Sequence, residues 1–263
     1  MEYLRANGYY ETTIKDVLSY LDKYGVDVSG PQDVLHLFSR VKVAKRHMVL
    51  AFRILLNYCE TMGYEKKQLD FLRNAIPKVS CGIDLKIPTE KEIQDSLSKL
   101  ETAPKKYSVV YNLLLDSGLR LVEAVTLING FKDVEEVNGF FRCNLASFRG
   151  NKRAYYGHFS EATLNQIKKV KEKIGVKAVS TYFIRNCYVT AKYLRKFSFD
   201  KMIELEIPKS IADFIQGRVP HRVGAKHYMA LARQTSKFYP RYLEYVKNLR
   251  RDLENGSVVK WET

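Results

Sequence analysis

Apolar residues recur with a helical period along nearly the whole chain, and that period changes once. Between residues 139 and 159 it gives way to GFFRCNLASF and KRAYYGHF, two aromatic-rich runs on either side of RGN. Two such runs with a tight turn at Gly150–Asn151 between them predict an antiparallel hairpin. The chain therefore reads as mainly α with a small antiparallel β-sheet.

The helices fall into two groups. In the first, TTIKDVLSYLDKYG sets Ile14, Val17, Leu18 and Leu21 on one face and stops at Gly25. A second helix starts near residues 31–33. The longest run, RVKVAKRHMVLAFRILLNYCETMG, predicts one helix with Arg40, Lys42, Lys45 and Arg46 in its first two turns. A fourth helix is expected at KKQLDFLRNAI. Pro77 and Pro88 bracket a segment without the helical pattern, and Pro88 fits a helix start better than a helix interior. The junction placed there gives a helical domain over 1–85 and a second domain over 86–263. After the hairpin, helical patterns resume at EATLNQIKKVKEK, at STYFIRNCYVTAKYLRK and at PKSIADFIQG. A last helix is expected from Gln234 to Leu253, with Tyr239, Tyr242 and Tyr245 as its packing residues.

Charge narrows the partners. Forty-four Lys and Arg stand against 29 Asp and Glu, a formal +15, and 46% of residues are hydrophobic. The second figure supports real cores, and the first favours polyanions, nucleic acid ahead of acidic membrane. No run of 18 apolar residues and no signal-peptide core are present, so a cytoplasmic protein is expected. Cys59, Cys81, Cys143 and Cys187 lack zinc-knuckle spacing and read as reduced, mostly buried thiols.

The segment RVPHRVGAKHYMALARQ contains a tyrosine, Tyr228, among cations. A phenol with a reference pKa near 10 is a weak nucleophile, and nearby cations favour the phenolate. Attack on a phosphodiester would also need guanidinium groups on the non-bridging oxygens and a general acid for the leaving 5′ oxygen. No metal or other cofactor is called for. Arg120 in SGLRLVEAVTL, Arg185 in YFIRNCYVTAKYL, Arg218 after Gly217 and Lys152 at the hairpin turn make up such a set.

These four segments together resemble the tyrosine recombinase, or phage-type integrase, family, and are closest in pattern to archaeal viral or plasmid integrases. SGLRLVEAVTL resembles the family's first arginine box, SFRGNKRAYYGHF its β-hairpin lysine region, YFIRNCYVTAKYL its second arginine box and GRVPHRVGAKHY the segment ending in the nucleophile. The resemblance implies a helical core-binding domain followed by a catalytic domain. Three positions depart from the pattern. Tyr182 stands where a histidine three residues before the second arginine is usual. Arg218 replaces the usual histidine or tryptophan, and the gap from it to Tyr228 is ten residues, one longer than the commonest spacing. In the hairpin, Arg149 holds the position where the family's lysine often stands, and Lys152 is the lysine of the turn. Lys152 is favoured as the acid, with Arg149 on phosphate, because an ammonium releases a proton far more readily than a guanidinium.

The resemblance implies a site-specific recombinase that cleaves and rejoins DNA strands through a covalent 3′-phosphotyrosyl intermediate. The partner implied is double-stranded DNA with a specific attachment site, bound by a homo-tetramer on two duplexes, with a monomer possible without DNA and no membrane involved. The place is the host cytoplasm, at the nucleoid, and the abundance of charge suits a thermophile. Two rivals stay open: DNA relaxation of the type IB topoisomerase kind, and a DNA-binding protein whose catalytic set has decayed.

Overall fold

The computed structural model describes residues 1–80, 82–149, 152–218 and 230–256, without the side chains of 148, 149, 152, 153 and 252–256. It divides into two compact units, Met1–Asp84 and Leu85–Thr263.

The first unit holds five helices: α1 (Glu2–Ala6), α2 (Glu11–Tyr24), α3 (Pro31–Arg40), α4 (Lys45–Thr61) and α5 (Lys66–Asn74). Helix α2 ends at Gly25, which takes a positive φ of 52°, a conformation glycine adopts without steric cost. Helix α3 begins with Pro31 and is capped by Asp33, whose carboxylate accepts from the Ser29 and Gly30 amides at 3.0 and 2.9 Å. Helix α4 is central. Its Met48, Phe52 and Leu56 join Val34, Leu37, Phe38 and Leu69 in one core. Its Ala51 and Ile54 meet Leu4, Ile14 and Val17 in another. Leu18, expected on the buried face of α2, is 37% exposed.

The predicted long helix from Arg40 is in fact two elements. Helix α3 ends at Arg40, Val41 is extended and fully buried, and Ala44 takes φ 54° before α4 starts at Lys45. Arg40 and Lys42 thus precede α4 instead of forming its first turn. All four expected DNA-binding cations, Arg40, Lys42, Lys45 and Arg46, are exposed. Arg40 also donates to the Tyr24 carbonyl at 2.5 Å.

The second unit is built around α7 (Lys105–Ser117), whose residues from Val109 to Ser117 are all buried. It is surrounded by α6 (Glu90–Lys99), α8 (Leu121–Asn129), α9 (Glu161–Lys169), α10 (Val176–Arg185), α11 (Ala191–Glu204), α12 (Lys209–Ile215) and α13 (Leu231–Gly256). Thr89 and Glu92 form a reciprocal capping box at the start of α6. The sheet is antiparallel, in the order β1 (Val134–Val137), β2 (Phe140–Arg149) and β3 (Lys152–Phe159). The hairpin is therefore present, and β1 is a third strand that its short, charged sequence VEEV did not reveal. One extra residue on β2 between Asn144 and Ser147 makes a bulge, with Ala146 at φ 41°.

Helix α13 is part of this core. Tyr239 and Tyr242 are fully buried and donate their hydroxyls to the Asp116 and Leu115 carbonyls at 2.9 and 2.6 Å. The buried Asp116 carboxylate accepts from Arg250 at 2.7 Å, from Ser160 and from Thr163. Cys143 is buried as expected, but Cys187 is exposed.

Candidate active site

Three guanidinium groups meet where α7, α8, α11 and the end of α12 come together. Arg120 is the N-cap residue of α8. Its amide donates to Glu123 Oε2 at 2.9 Å, and its Nη1 donates to Glu123 Oε1 at 2.7 Å and to the Gly217 carbonyl at 3.0 Å. Glu123 is 1% exposed, so this carboxylate orients Arg120 and is shielded from water. Arg218 is placed by its amide, which donates to the Asp213 carbonyl at 2.7 Å, and its guanidinium stacks over Phe199 at 4.7 Å. Asp213 Oδ1 lies 3.6 Å from Arg218 Nη1 and its other oxygen accepts from Lys209.

Arg195, on α11, lies between these two. Its Nη1 donates to the carbonyls of Gly118 and Gln216 at 2.7 and 2.6 Å, and the Gln216 side chain donates back to the Arg195 carbonyl at 2.8 Å. Its Nη2 is buried and has no hydrogen-bond partner among the described residues. Burial, reinforced by Arg120 and Arg218, pulls the Arg195 pKa down to about 9. Burial also lowers that of Arg218, and Arg120 adds to it while Asp213 opposes.

Two glycines make this convergence possible. Gly118 has φ 59°, and a Cβ there would come within 2.4 Å of the Gln216 side chain. Gly217 has φ 68°, and its Cβ would come within 2.6 Å of Ala154 Cβ on β3. Each needs both a left-handed backbone and close approach. The contact at Ala154 seats the hairpin strand directly against the residue before Arg218. A cleft of about 440 Å³ opens beside the cluster, lined by Arg120, Leu121, Phe183, Lys192 and Arg195 among others.

Three guanidiniums face two carboxylates here, Glu123 and Asp213. Positive charge is in excess among the described residues, and one buried donor of Arg195 lacks an acceptor among them. Such a donor costs about 1–3 kcal/mol unless it is satisfied. An anion with several acceptor oxygens, such as a phosphodiester, fits that requirement.

Of the other expected site residues, Tyr182 and Arg185 are not among those that line this cleft. Tyr182 stacks on the Tyr107 ring at 4.0 Å and packs against the core with Tyr188. Arg185 closes α10 and is exposed, and the charges acting most on Arg195 are Arg120, Arg218, Glu123 and Asp213. The stretch expected as one helix is two, α10 and α11, so Arg185 and Arg195 belong to different elements. Periodicity carried the signal. Val179 and Phe183 are the buried residues of α10, and Arg185 follows Phe183 by two positions, about 200° round the helix. In the hairpin, Arg149 pairs with Lys152 across the turn, and their side chains lie outside the described residues. Tyr228 also lies outside them, with His221, Arg222, Lys226 and His227.

The half-buried arginine cluster therefore packs against a β-hairpin within a helical scaffold. The archaeal phage integrase family model matches residues 85–245 of the 263, and the chain belongs to that family. It is thus of the tyrosine recombinase type, a DNA-binding and DNA-cleaving class that serves DNA integration and recombination. No curated protein matches the sequence. Among solved structures, the integrase from mycobacterium phage Brujita is 12% identical over 92% of this chain and 90% of its own, with a TM-score of 0.45. XerA recombinase is 14% identical over 99% and 97%, with a TM-score of 0.37. No helix among the described residues is long and apolar enough to cross a membrane.

Proposed function

We propose that this protein is a site-specific DNA recombinase in which Tyr228 attacks the scissile phosphate and forms a 3′-phosphotyrosyl link. The observation that carries this reading is the convergence of Arg120, Arg195 and Arg218 with an unsatisfied, buried Arg195 Nη2. Guanidiniums stay charged at neutral pH, Arg195 included although its pKa is pulled down to about 9, and bind the non-bridging oxygens, whose charge grows in the transition state. In this assignment Arg195 takes the part that the sequence suggested for Arg185. Lys192 then stands three residues before it, at the position of the family's usual histidine, and it lines the same cleft.

The phenolate oxygen of Tyr228 bonds to phosphorus while the bond to the 5′ oxygen breaks. Lys152 supplies the proton to that oxygen. A 5′ hydroxyl from a partner duplex then attacks phosphorus and releases Tyr228. The phosphodiester energy is kept in the tyrosyl ester, so no nucleotide cofactor is needed. Strand exchange requires four such centres, which matches a homo-tetramer on two attachment-site duplexes.

The test is a nicked suicide duplex bearing the attachment site. A covalent protein–DNA band on a denaturing gel, absent with Tyr228→Phe, is expected. No band with the parent protein would leave only a DNA-binding role, and relaxation of plasmid lacking paired sites would point to topoisomerase activity. A 5′-bridging phosphorothiolate duplex separates Lys152 from Arg149. Sulfur needs little protonation to leave, so Lys152→Ala should be rescued on it and Arg149→Ala should be equally slow on both duplexes. Absence of rescue in Lys152→Ala would remove the acid assignment.

A further inference from the structure

Helix α12 closes on Phe214 and Ile215, both buried, and its C-cap residue Gln216 is fully buried with them. A leucine or methionine would fill that space without an unmet polar atom. The Gln216 side-chain oxygen Oε1 is instead buried with no hydrogen-bond partner among the described residues, which is destabilising in itself. What the amide contributes is its nitrogen. Gln216 Nε2 donates to the Arg195 carbonyl at 2.8 Å, and Arg195 Nη1 donates to the Gln216 main-chain carbonyl at 2.6 Å. Each residue thus uses its side chain to hold the other's main chain, a reciprocal clamp between α11 and the end of α12. Gly118 closes the clamp from a third side. Its carbonyl accepts from the same Nη1 at 2.7 Å, and a Cβ there would sit 2.4 Å from Gln216 Nε2. These bonds fall on Nη1 and on the main chain, so Arg195 Nη2 is left without a partner among the described residues.

We propose that Gln216 is a positioning residue for Arg195, which fixes the main chain at the root of the arginine so that Nη2 stays directed at a non-bridging oxygen of the scissile phosphate. This rests on the reading that Arg195 binds that phosphate. The Nη1 bonds fix the tip of a long side chain with much rotamer freedom, and the Nε2 bond fixes its root. With both ends held, the direction of Nη2 is set before DNA arrives, so the ordering takes place in folding and not at the reaction. The neighbouring guanidiniums have anchors of their own, Arg120 on Glu123 and Arg218 beside Asp213. A change at Gln216 is therefore transmitted first to Arg195, which it meets through both bonds of the clamp. Gln216 acts only through that arginine and does not itself touch the phosphate.

The experiment is a double-mutant cycle on the full-length chain, read as single-turnover cleavage of the nicked attachment-site duplex at saturating protein. Gln216→Met keeps the length of the side chain and removes the donor. It is made in the parent and in Arg195→Ala, where the main-chain carbonyl that Gln216 holds is retained and the guanidinium is gone. In the parent, Gln216→Met is expected to slow cleavage about tenfold, the size of one net hydrogen bond, with duplex affinity within about twofold of the parent. In Arg195→Ala it should change the rate by less than about twofold. A merely structural loss would persist in that background, so a further loss of the same size there overturns the proposal. A parental rate in Gln216→Met overturns it too, as does a fall in affinity with the saturated rate unchanged. Gln216→Leu takes the place of Gln216→Met in both backgrounds if the latter melts below the assay temperature. No covalent band from the parent overturns the recombinase reading and the role of Gln216 with it, whereas the other failures leave that reading standing.

Discussion

Arg195 and Arg185 separate what residue type can tell from what position tells. Both are arginines in aromatic-rich surroundings ten residues apart, and only position in the fold distinguishes them. If Arg195 holds the scissile phosphate as proposed, Arg195→Ala should lower cleavage by about 10²–10³ with binding largely kept. Arg185→Ala should cleave within a few-fold of the parent. Single-turnover rates of adduct formation measure both, and the reverse ranking would restore Arg185. Another residue had no function legible in the sequence. His158 is fully buried among Phe140, Tyr156 and Tyr239, and neither ring nitrogen has a partner among the described residues. Burial, with a smaller push from Arg142, lowers its pKa from 6.5 to about 3. Between those values the unfolded chain binds a proton that the folded chain does not. Stability contributed at neutral pH is therefore lost as pH falls from about 6.5 towards 3, at up to about 1.4 kcal/mol per pH unit. His158→Leu should flatten that part of the stability–pH curve in urea melts, and an unchanged slope would show that other groups set it.

At the scale of elements, the hairpin and most helices were legible because period and caps agree. Thr89 with Glu92, Pro31, and Gly25 announce their helix ends, and the buried tyrosines of α13 keep the spacing that marked them as packing residues. The break between α3 and α4 was not legible. RVKVAK has no glycine or proline, and the turn is made by Ala44 at φ 54° and by burial of Val41, which tertiary packing imposes against local preference. A non-glycine residue in that region costs about 1–2 kcal/mol, of which part is offset by the greater freedom of glycine in the unfolded chain. Ala44→Gly should accordingly raise stability by about 0.5–1 kcal/mol in denaturant melts. A loss of stability would mean that the Ala44 methyl group contributes more than its strained backbone costs. The same limit applies at the candidate site. The boundary between α10 and α11 falls at a positive-φ cysteine, Cys187 at 52°, a residue that no turn rule would select.

The whole molecule divides its charge between two units with separate cores. Arg120, Arg195 and Arg218 of the second unit are partly buried, tied to carbonyls and carboxylates, and gathered at one place. Those expected to hold DNA in the first unit are exposed, which suits contacts that are many, weak and indifferent to geometry. Arg40 is already engaged with the Tyr24 carbonyl, so Lys42, Lys45 and Arg46 are the cleaner probe. Each phosphate contact releases counterions, and contacts without shared partners add. Replacing these three by alanine should lower the salt slope of binding by about 2.7. At saturating protein, the single-turnover cleavage rate should stay near that of the parent, since the site proposed for the reacting phosphate lies in the other unit. Arg195→Ala should behave in the opposite way, with a near-parental slope and a collapsed rate. Measured together on one duplex, the two variants test the division directly. A triple variant that binds with the parental slope, or that cleaves slowly even when saturated, would show that the first unit does something other than grip phosphates.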